Sequence, residues 1–275
     1  MQPLAAVEDQ ILRRLREAEH VFCFLDYDGT LAPLAPTPEE ALPVPGTADL
    51  LRKLVAAAGT RVAIVTGRTI TDVRRLLDVP GVYYAGIHGL ELEFPNGQTR
   101  LIRGAGLARA ALPTIKRRVE QALAGRPGIL IEDKGAALAC HYRLASRADA
   151  VMARQTLATV VRAYQRRGLP LMLTYGHEVT EIRPAGVDKG EAVRALLAAC
   201  NHRPLAVYIG DDRTDSDAFA ALPPDSITID VRPADESGPA HYSLPGPAEV
   251  HRFLHALLAC RLARMAKPDP SPECG

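Results

Sequence analysis

The sequence has 275 residues, of which 47% are apolar and 24% charged, a composition typical of a globular protein with one or two domains. Its 33 basic and 32 acidic residues leave a net charge of +1, so no overall field would recruit nucleic acid or an anionic membrane. No apolar run approaches the ~18 residues of a membrane span, and five scattered cysteines argue against disulfides and zinc, which together predict a cytoplasmic protein.

The first 100 residues predict strands and helices in alternation. Residues 7–20 are charged throughout, and residues 1–20 have room for only one helix, which predicts a free-standing protein without a fused upstream domain. Val21–Leu25 is an uninterrupted apolar run, typical of a strand buried on both faces. The elements predicted after it are a helix at 48–58, a strand at 61–65, a helix at 70–77, a strand at 82–85 and a hairpin at 90–102 with the turn type that Asn96-Gly97 favours.

Residues 104–184 have a different pattern. They predict long helices at 107–123 and 147–166, and two pairs of strands, at 128–131 with 136–142 and at 171–174 with 178–182. Because short turns join these strands, an antiparallel sheet that carries two helices is expected. After Asp188 the alternation returns, with a helix up to Cys200, a strand at 205–209, a helix at 214–221, a strand at 227–230 and a helix at 248–264.

The simplest fold is a parallel α/β core interrupted by a smaller α+β domain. The predicted organisation is an N-terminal helix within 1–20, a core of 21–103 and 185–265, an insert of 104–184, and a disordered tail without function at 266–275. Because ligands bind at the carboxyl ends of parallel strands, polar residues that follow strands are the candidates for a site.

Asp26 and Asp28 lie two residues apart at the end of the first strand, so both side chains can point to one side of the sheet. At ~4 Å and an effective dielectric constant of ~20, two like charges repel by about 4 kcal/mol. The pair therefore needs a cation between its members or must share a proton. Magnesium suits oxygen ligands beside a phosphate, whereas an ordinary Asp-rich turn is the simpler alternative.

Three further polar segments follow predicted strands and open helices. Thr66-Gly67-Arg68 offers a hydroxyl and free backbone amides for an anion, although a helix cap explains it equally well. Lys189 stands in the first turn of a helix, where the helix dipole disfavours a cation unless an anion is held there. The segment 210–215, Gly-Asp-Asp-Arg-Thr-Asp, places three carboxylates at one strand end, too much unshielded charge for a structural turn.

Four elements of the sequence resemble, in their order along the chain, the four motifs of the haloacid dehalogenase (HAD) superfamily of phosphotransferases. They are D-x-D-G-T at Asp26, Thr66, Lys189, and G-D-D-x-x-D at Gly210. The resemblance implies a HAD-like Rossmannoid α/β core with a parallel sheet and an inserted α+β cap domain of the C2 type. It also implies that Asp26 attacks phosphorus to form an aspartyl-phosphate. Asp28 would protonate the leaving oxygen and then take a proton from water.

The same resemblance assigns the remaining core residues. Thr66 and Lys189 would hold the oxygens of the transferring phosphoryl group. The Mg²⁺ site would comprise Asp26, Asp28 through its backbone carbonyl, Asp211 and Asp212. Asp212 and Asp215 would lie around the metal without touching it or would orient Lys189.

The amino-acid sequences of several segments between Val21 and about Phe219 also resemble the trehalose-6-phosphate phosphatase family. The matching segments are D-Y-D-G-T-L, T-G-R, G-x-H-G-x-E, E-D-K-G, H-Y-R, E-I-R-P with V-D-K-G, and G-D-D-R-T-D. The resemblance implies a small sugar-phosphate substrate and a separate trehalose-phosphate synthase that supplies it. The residues it implies for substrate binding are Asp26, Gly67, Arg68, His88, Glu132, Lys134 and Glu181, and a mobile cap would bring the last three over Asp26.

Other functions fit the same residues. Sucrose phosphate or a glucosyl- or mannosyl-phosphoglycerate poses nearly the same recognition problem as trehalose 6-phosphate. A phosphohexomutase would keep the sugar phosphate bound between two transfers. A silent regulatory subunit of a sugar-phosphate synthase is disfavoured because every catalytic position is filled.

Overall fold

The computed structural model describes residues 1–101, 105–176, 178–233 and 238–265. The predicted tail at 266–275, with Cys274, and the last predicted hairpin residue, Ile102, lie outside this part. The chain divides into two units, one formed by Met1–Arg100 with Asp188–Gly275 and one by Leu101–Val187. The second unit contains the predicted insert, and residues 1–20 belong to the first.

The strands are β1 (Gln2–Pro3), β2 (Val21–Leu25), β3 (Thr60–Val65), β4 (Tyr83–Gly86), β5 (Glu91–Glu93), β6 (Thr99–Leu101), β7 (Leu130–Asp133), β8 (Leu138–His141), β9 (Leu171–Gly176), β10 (Val179–Pro184), β11 (Leu205–Gly210), β12 (Ile227–Val231) and β13 (Tyr242–Leu244). The helices are α1 (Glu8–Glu17), α2 (Thr47–Ala56), α3 (Ile70–Leu76), α4 (Ala105–Ala122), α5 (Arg147–Gln165), α6 (Lys189–Ala198), α7 (Asp215–Ala221) and α8 (Pro247–Met265). Among these helices none is long and apolar enough to cross a membrane.

The first unit is built on a nine-stranded sheet in the order β1-β13-β12-β11-β2-β3-β4-β5-β6. Neighbours from β1 to β4 run parallel, which confirms the predicted parallel core, and β5 pairs antiparallel with β4. All five residues of β2 are buried, as its apolar run predicts. Leu25 pairs with Ile64 on one side and with Ile209 on the other, so the residues that follow these three strands emerge at one edge of the sheet.

The N-terminal segment holds more than the one predicted helix. Before α1, Gln2 and Pro3 form an edge strand that runs parallel to β13. Strands of two or three residues have no detectable period, so neither β1 nor β13 could be predicted from alternation. Ile11 and Leu15 of α1 join the core beneath the sheet.

The hairpin between β5 and β6 does not have the turn that Asn-Gly favours. That turn needs a positive φ at both central residues, whereas Gly97 has φ 78° and Asn96 is not in the left-handed region. Pro95 explains the difference, because its ring restricts φ to about −65° and so favours a type I turn that starts at Phe94. Gly97 then takes the left-handed position, and Phe94 N–H donates to Gln98 O across the hairpin.

The second unit is a four-stranded sheet in the order β7-β8-β10-β9, antiparallel throughout as predicted. Helices α4 and α5 bury one face of it through Ile115, Leu157 and their neighbours. Along a strand alternate side chains point to opposite faces, so Glu132 and Glu181 stand on the face away from the helices. Both pair in register with Ala139, whose small side chain lies between them.

A buried arginine ties together three parts of the first unit. Arg261 of α8 is fully buried, and within the described residues no carboxylate lies in ion-pair range of it. Its guanidinium donates to four backbone carbonyls and one hydroxyl, those of Leu15, Ala18, Glu19, Ala58 and Thr60. Burial lowers the pKa of Arg261. The arginine satisfies the carbonyls left over at the end of α1 and holds the chain where it enters β2.

We expect Arg261→Met to lower the free energy of unfolding by about 3 kcal/mol, because it leaves several buried carbonyls without donors. Urea unfolding followed by circular dichroism measures the loss. The matched control is Arg264→Met on the same helix, since Arg264 is only partly buried and, among the described residues, its side chain makes one hydrogen bond, to Glu17 O at 2.9 Å. Equal losses in the two variants would contradict this role for Arg261.

Candidate active site

The centre of the site is a buried lysine between two aspartates. Asp26 follows β2 directly, is 4% exposed, and is fixed by its N–H, which donates to Ile209 O at 2.9 Å. Lys189 opens α6 and is 2% exposed. Its Nζ lies 2.7 Å from Asp26 Oδ1 and 2.7 Å from Asp215 Oδ1. The structure thus brings together residues that stand 163 and 26 positions apart in the chain.

The charges in this cluster depend on one another. Burial, with repulsion from Asp215 and Asp211, raises the pKa of Asp26 well above its ordinary value, and Lys189 opposes that rise. Burial also favours neutral Lys189, but Asp215 and Asp26 outweigh burial and raise the pKa of that lysine. Lys189 is therefore a permanent cation that keeps Asp26 closer to its ionised, nucleophilic form.

Asp211 is the carboxylate with free capacity for a cation. Carboxylate oxygens of Asp26, Asp211 and Asp215 all lie within 4.8 Å of one another. Burial, with repulsion from Asp215 next, raises the pKa of Asp211 to about 7. Its Oδ1 is buried and has no hydrogen-bond partner within the described residues. A β-carbon at Gly29 would overlap this carboxylate, so glycine there makes room for it. These features fit a divalent metal ion.

Asp215 differs because protein donors already occupy both of its oxygens. Oδ1 accepts from Lys189 and, at 2.6 Å, from the hydroxyl of the fully buried Tyr208. Oδ2 accepts from the N–H of Asp212 at 2.9 Å. Asp215 therefore orients Lys189, one of the two roles expected for it. Tyr208 was not predicted, since a tyrosine in an apolar strand gives no sign that its hydroxyl reaches a carboxylate.

Asp212 does not share this position. It is exposed, and its Oδ1 accepts from the N–H of Arg213 at 2.6 Å. The structure places the side chain of Asp215, rather than that of Asp212, in the carboxylate cluster. The sequence spacing alone does not distinguish the two, because both follow β11 within five residues.

Asp28 lies outside the cluster and is paired with an arginine. Arg68 Nε donates to Asp28 Oδ2 at 2.8 Å, and its Nη2 donates to Oδ1 at 2.6 Å. The side chain of Asp28 is 37% exposed, whereas that of Arg68 is only 10% exposed. Asp28 is therefore more accessible than Asp26, as a group that acts on a leaving oxygen needs to be. The sequence predicted both residues in the site but not their contact.

Thr66 and His88 lie at the end of the neighbouring strands. Thr66 is 1% exposed, and its Oγ1 accepts from Arg68 N–H at 3.1 Å, so its own O–H remains able to donate. His88 has φ 55°, in the left-handed region, and its N–H donates to Thr66 O at 2.8 Å. Its ring packs against Gly67. The structure thus groups the predicted residues Thr66, Gly67 and His88.

The predicted sugar-binding residues form one ion pair and one hydrogen bond on the face of the second unit's sheet that lies away from its helices. Lys134 Nζ donates to Glu181 Oε1 at 2.6 Å, and Glu181 is buried. His141 Nε2 lies 2.7 Å from Glu132 Oε2. This hydrogen bond is the main reason why the pKa of Glu132 is lowered. The face therefore presents donors and acceptors side by side, as a binding site for sugar hydroxyls requires.

Comparison with known proteins relates the chain to one family. The trehalose-phosphatase family model matches residues 24–247. A trehalose-phosphate phosphatase of Mycobacterium marinum is 38% identical over 242 residues, which cover 84% of this chain and 59% of that protein. The chain thus spans about three fifths of the length of this curated relative.

Two solved structures have a similar fold. A trehalose-6-phosphate phosphatase related protein superposes with a TM-score of 0.73 at 28% identity, over 90% of this chain and 100% of that one. The C-terminal domain of the Candida albicans trehalose-6-phosphate phosphatase gives a TM-score of 0.78 at 21% identity, over 91% and 96% of the two chains. The second likeness concerns the fold alone.

Metal and pH are expected to act on stability through Asp211. A carboxyl group with a raised pKa binds its proton more tightly in the folded state, so its contribution to stability falls as pH rises from about 4 to about 7. In EDTA, Asp211→Asn should therefore raise the Tm by several degrees at pH 8 and leave it unchanged at pH 4. Adding Mg²⁺ should raise the Tm of the wild type but not of the variant.

Differential scanning fluorimetry at both pH values tests this expectation. Asp225→Asn is the control, because its carboxylate is exposed and outside the cluster. A gain for Asp211→Asn of the same size at pH 4 and pH 8 would show a packing effect instead of relief from charge.

Proposed function

The chain belongs to the trehalose-phosphatase family, and on this basis we propose that it is a Mg²⁺-dependent phosphatase that converts trehalose 6-phosphate to trehalose and phosphate, the last step of trehalose biosynthesis. The observation that carries the proposal is the arrangement at the sheet edge. A buried carboxylate, Asp26, is held by a permanent cation, Lys189, beside an open carboxylate, Asp211. A second, accessible carboxylate, Asp28, lies two residues away.

In the proposed first displacement an Asp26 oxygen attacks phosphorus, and the bond between phosphorus and the sugar oxygen breaks. The leaving sugar oxygen takes its proton from Asp28. In the second displacement water attacks the phosphorus of the aspartyl-phosphate and gives a proton to Asp28. The bond between phosphorus and the Asp26 oxygen breaks, so that phosphate is released and both carboxyl groups are restored. Lys189 and the hydroxyl of Thr66 would hold the oxygens of the transferring group, where charge develops.

Asp26 and Asp211 would hold Mg²⁺ with their side chains, and Asp28 with its backbone carbonyl. When bound, the ion supplies positive charge that offsets the repulsion between the phosphate and the aspartates. The metal fits because three carboxylates face one lysine, which leaves the cluster with an excess of negative charge. Mg²⁺ suits oxygen ligands that share a site with phosphate.

We assign recognition of the sugar to the second unit, through Glu132, Lys134 and Glu181. Sucrose phosphate and glucosyl- or mannosyl-phosphoglycerate are the alternative substrates. A phosphohexomutase is the less favoured alternative, and release of free phosphate without an isomerised sugar phosphate would exclude it. A cytoplasmic location and a separate trehalose-phosphate synthase belong to the proposal on sequence grounds alone.

The first test compares phosphate release from trehalose 6-phosphate, sucrose phosphate, glucosyl-phosphoglycerate and glucose 6-phosphate in the presence of Mg²⁺. We expect a strong preference for trehalose 6-phosphate. Asp26→Asn should lower kcat by at least about 1,000-fold, because the amide cannot form the covalent intermediate. Asp225→Asn, an exposed substitution in the same unit, is the control. Activity that survives Asp26→Asn would refute the proposed nucleophile.

The second test separates sugar recognition from chemistry. Lys134→Ala should raise the KM for trehalose 6-phosphate by about 10-fold or more, and change the hydrolysis of p-nitrophenyl phosphate little, because that substrate has no sugar. The matched control is Lys116→Ala, which removes a lysine paired with Asp133 at 3.3 Å in the same unit. Equal losses for the two substrates would argue that Lys134 serves the stability of the unit instead.

A further inference from the structure

The guanidinium of Arg68 donates two hydrogen bonds from one edge to a single carboxylate, that of Asp28. Nε and Nη2 lie 2.8 Å and 2.6 Å from the two oxygens of Asp28, the parallel arrangement in which a guanidinium fixes a carboxylate in both position and rotation. A lysine cannot reproduce this geometry, since its ammonium is a point charge on a flexible chain. The contact therefore determines where the Asp28 oxygens point.

The side chain of Arg68 is itself held in place by the ring of Tyr27. Its guanidinium carbon lies 5.0 Å from the centre of the Tyr27 ring, a cation–π contact. Tyr27 is fully buried, and its hydroxyl donates to Ala41 O at 2.8 Å, so the ring is anchored in the core. The backbone of Arg68 is fixed as well, because its N–H donates to Thr66 Oγ1 and its carbonyl accepts from Ile87 N–H.

We propose that Arg68 is a positioning residue for Asp28, and that Tyr27 and Arg68 together form a clamp that aims the Asp28 carboxyl at the leaving oxygen. This inference rests on the proposed function and changes the role expected of Arg68, which the sequence assigned to substrate binding. Asp28 already occupies the planar edge of the guanidinium. The buried donors Lys189 and Thr66 remain for the phosphoryl group.

Leaving-group chemistry distinguishes the two roles. An alkoxide needs a proton as it leaves, whereas p-nitrophenolate leaves without one, so a general acid matters for a sugar phosphate and hardly at all for p-nitrophenyl phosphate. The quantity to compare is kcat/KM, because for a covalent mechanism it reports only the first displacement. A residue that positions the acid affects one substrate, and a residue that binds phosphate affects both.

For Arg68→Gln we expect kcat/KM to fall about 100-fold with the sugar phosphate and less than about 5-fold with p-nitrophenyl phosphate. Arg68→Lys should show the same selectivity, because it keeps the charge but loses the parallel bonds. Asp28→Asn should give the same pattern, and the double variant Arg68→Gln with Asp28→Asn should be no slower than Asp28→Asn alone. Thermal unfolding of each variant checks that it folds.

The chain contains a matched control. Arg74 also lies over a buried tyrosine ring, that of Tyr84 at 4.9 Å, and pairs with Asp78 at 3.0 Å, but it is not among the residues of the candidate site. Arg74→Gln should leave kcat/KM unchanged for both substrates. Equal loss with both substrates in Arg68→Gln, or rescue of both by Arg68→Lys, would overturn the clamp and assign Arg68 to phosphate.

Failure of the clamp and failure of the proposed function give different results. If the wild type prefers another sugar phosphate, the proposed substrate is wrong, and the same comparison is made with the preferred one. If the wild type hydrolyses p-nitrophenyl phosphate but no sugar phosphate, no acid is being aimed, and the clamp is refuted together with the function.

Discussion

The buried contact of Lys189 with Asp26 and Asp215 is the interaction on which the rest of the site depends. It joins the end of β2 to the first residues of α6 and α7, so it fixes the relative position of three elements at the edge of the sheet. A lysine in the first turn of a helix opposes the helix dipole, and burial adds a further cost. The two carboxylates offset both costs, which explains why this lysine is charged although it is 2% exposed.

The four aspartates of the site differ in their hydrogen-bond partners and in their exposure. Asp215 is saturated by Lys189, Tyr208 and a backbone amide, so it supports the cation. In the described part of the chain the buried Oδ1 of Asp211 has no hydrogen-bond partner, so Asp211 is the residue best suited to a metal. Asp28 is removed from this cluster by its contact with Arg68 and keeps a partly exposed carboxyl group. Residues of one type thus take different roles because their hydrogen-bond partners differ.

The sequence predicted most of the residues that meet, although not Tyr208, and it did not predict how they are paired. Asp26, Thr66 and Asp211 could be placed together because each follows a recognisable apolar strand, and parallel strands align their carboxyl ends. The pairing of Arg68 with Asp28 depends on side-chain directions at the ends of two strands, which no spacing encodes. The predicted turn type of the hairpin between β5 and β6 was wrong because the rigid ring of Pro95 outweighs the preference of the Asn-Gly pair that follows it.

The net charge of +1 is the sum of opposite net charges on the two units. Residues 101–187 carry 14 lysines and arginines against 6 aspartates and glutamates, whereas the remainder carries 19 against 26. The more acidic unit contains the cluster of Asp26, Asp211 and Asp215, and such a cluster repels an anion unless a cation offsets its charge. The difference in charge becomes visible only when the sequence is divided at the boundaries that the fold defines.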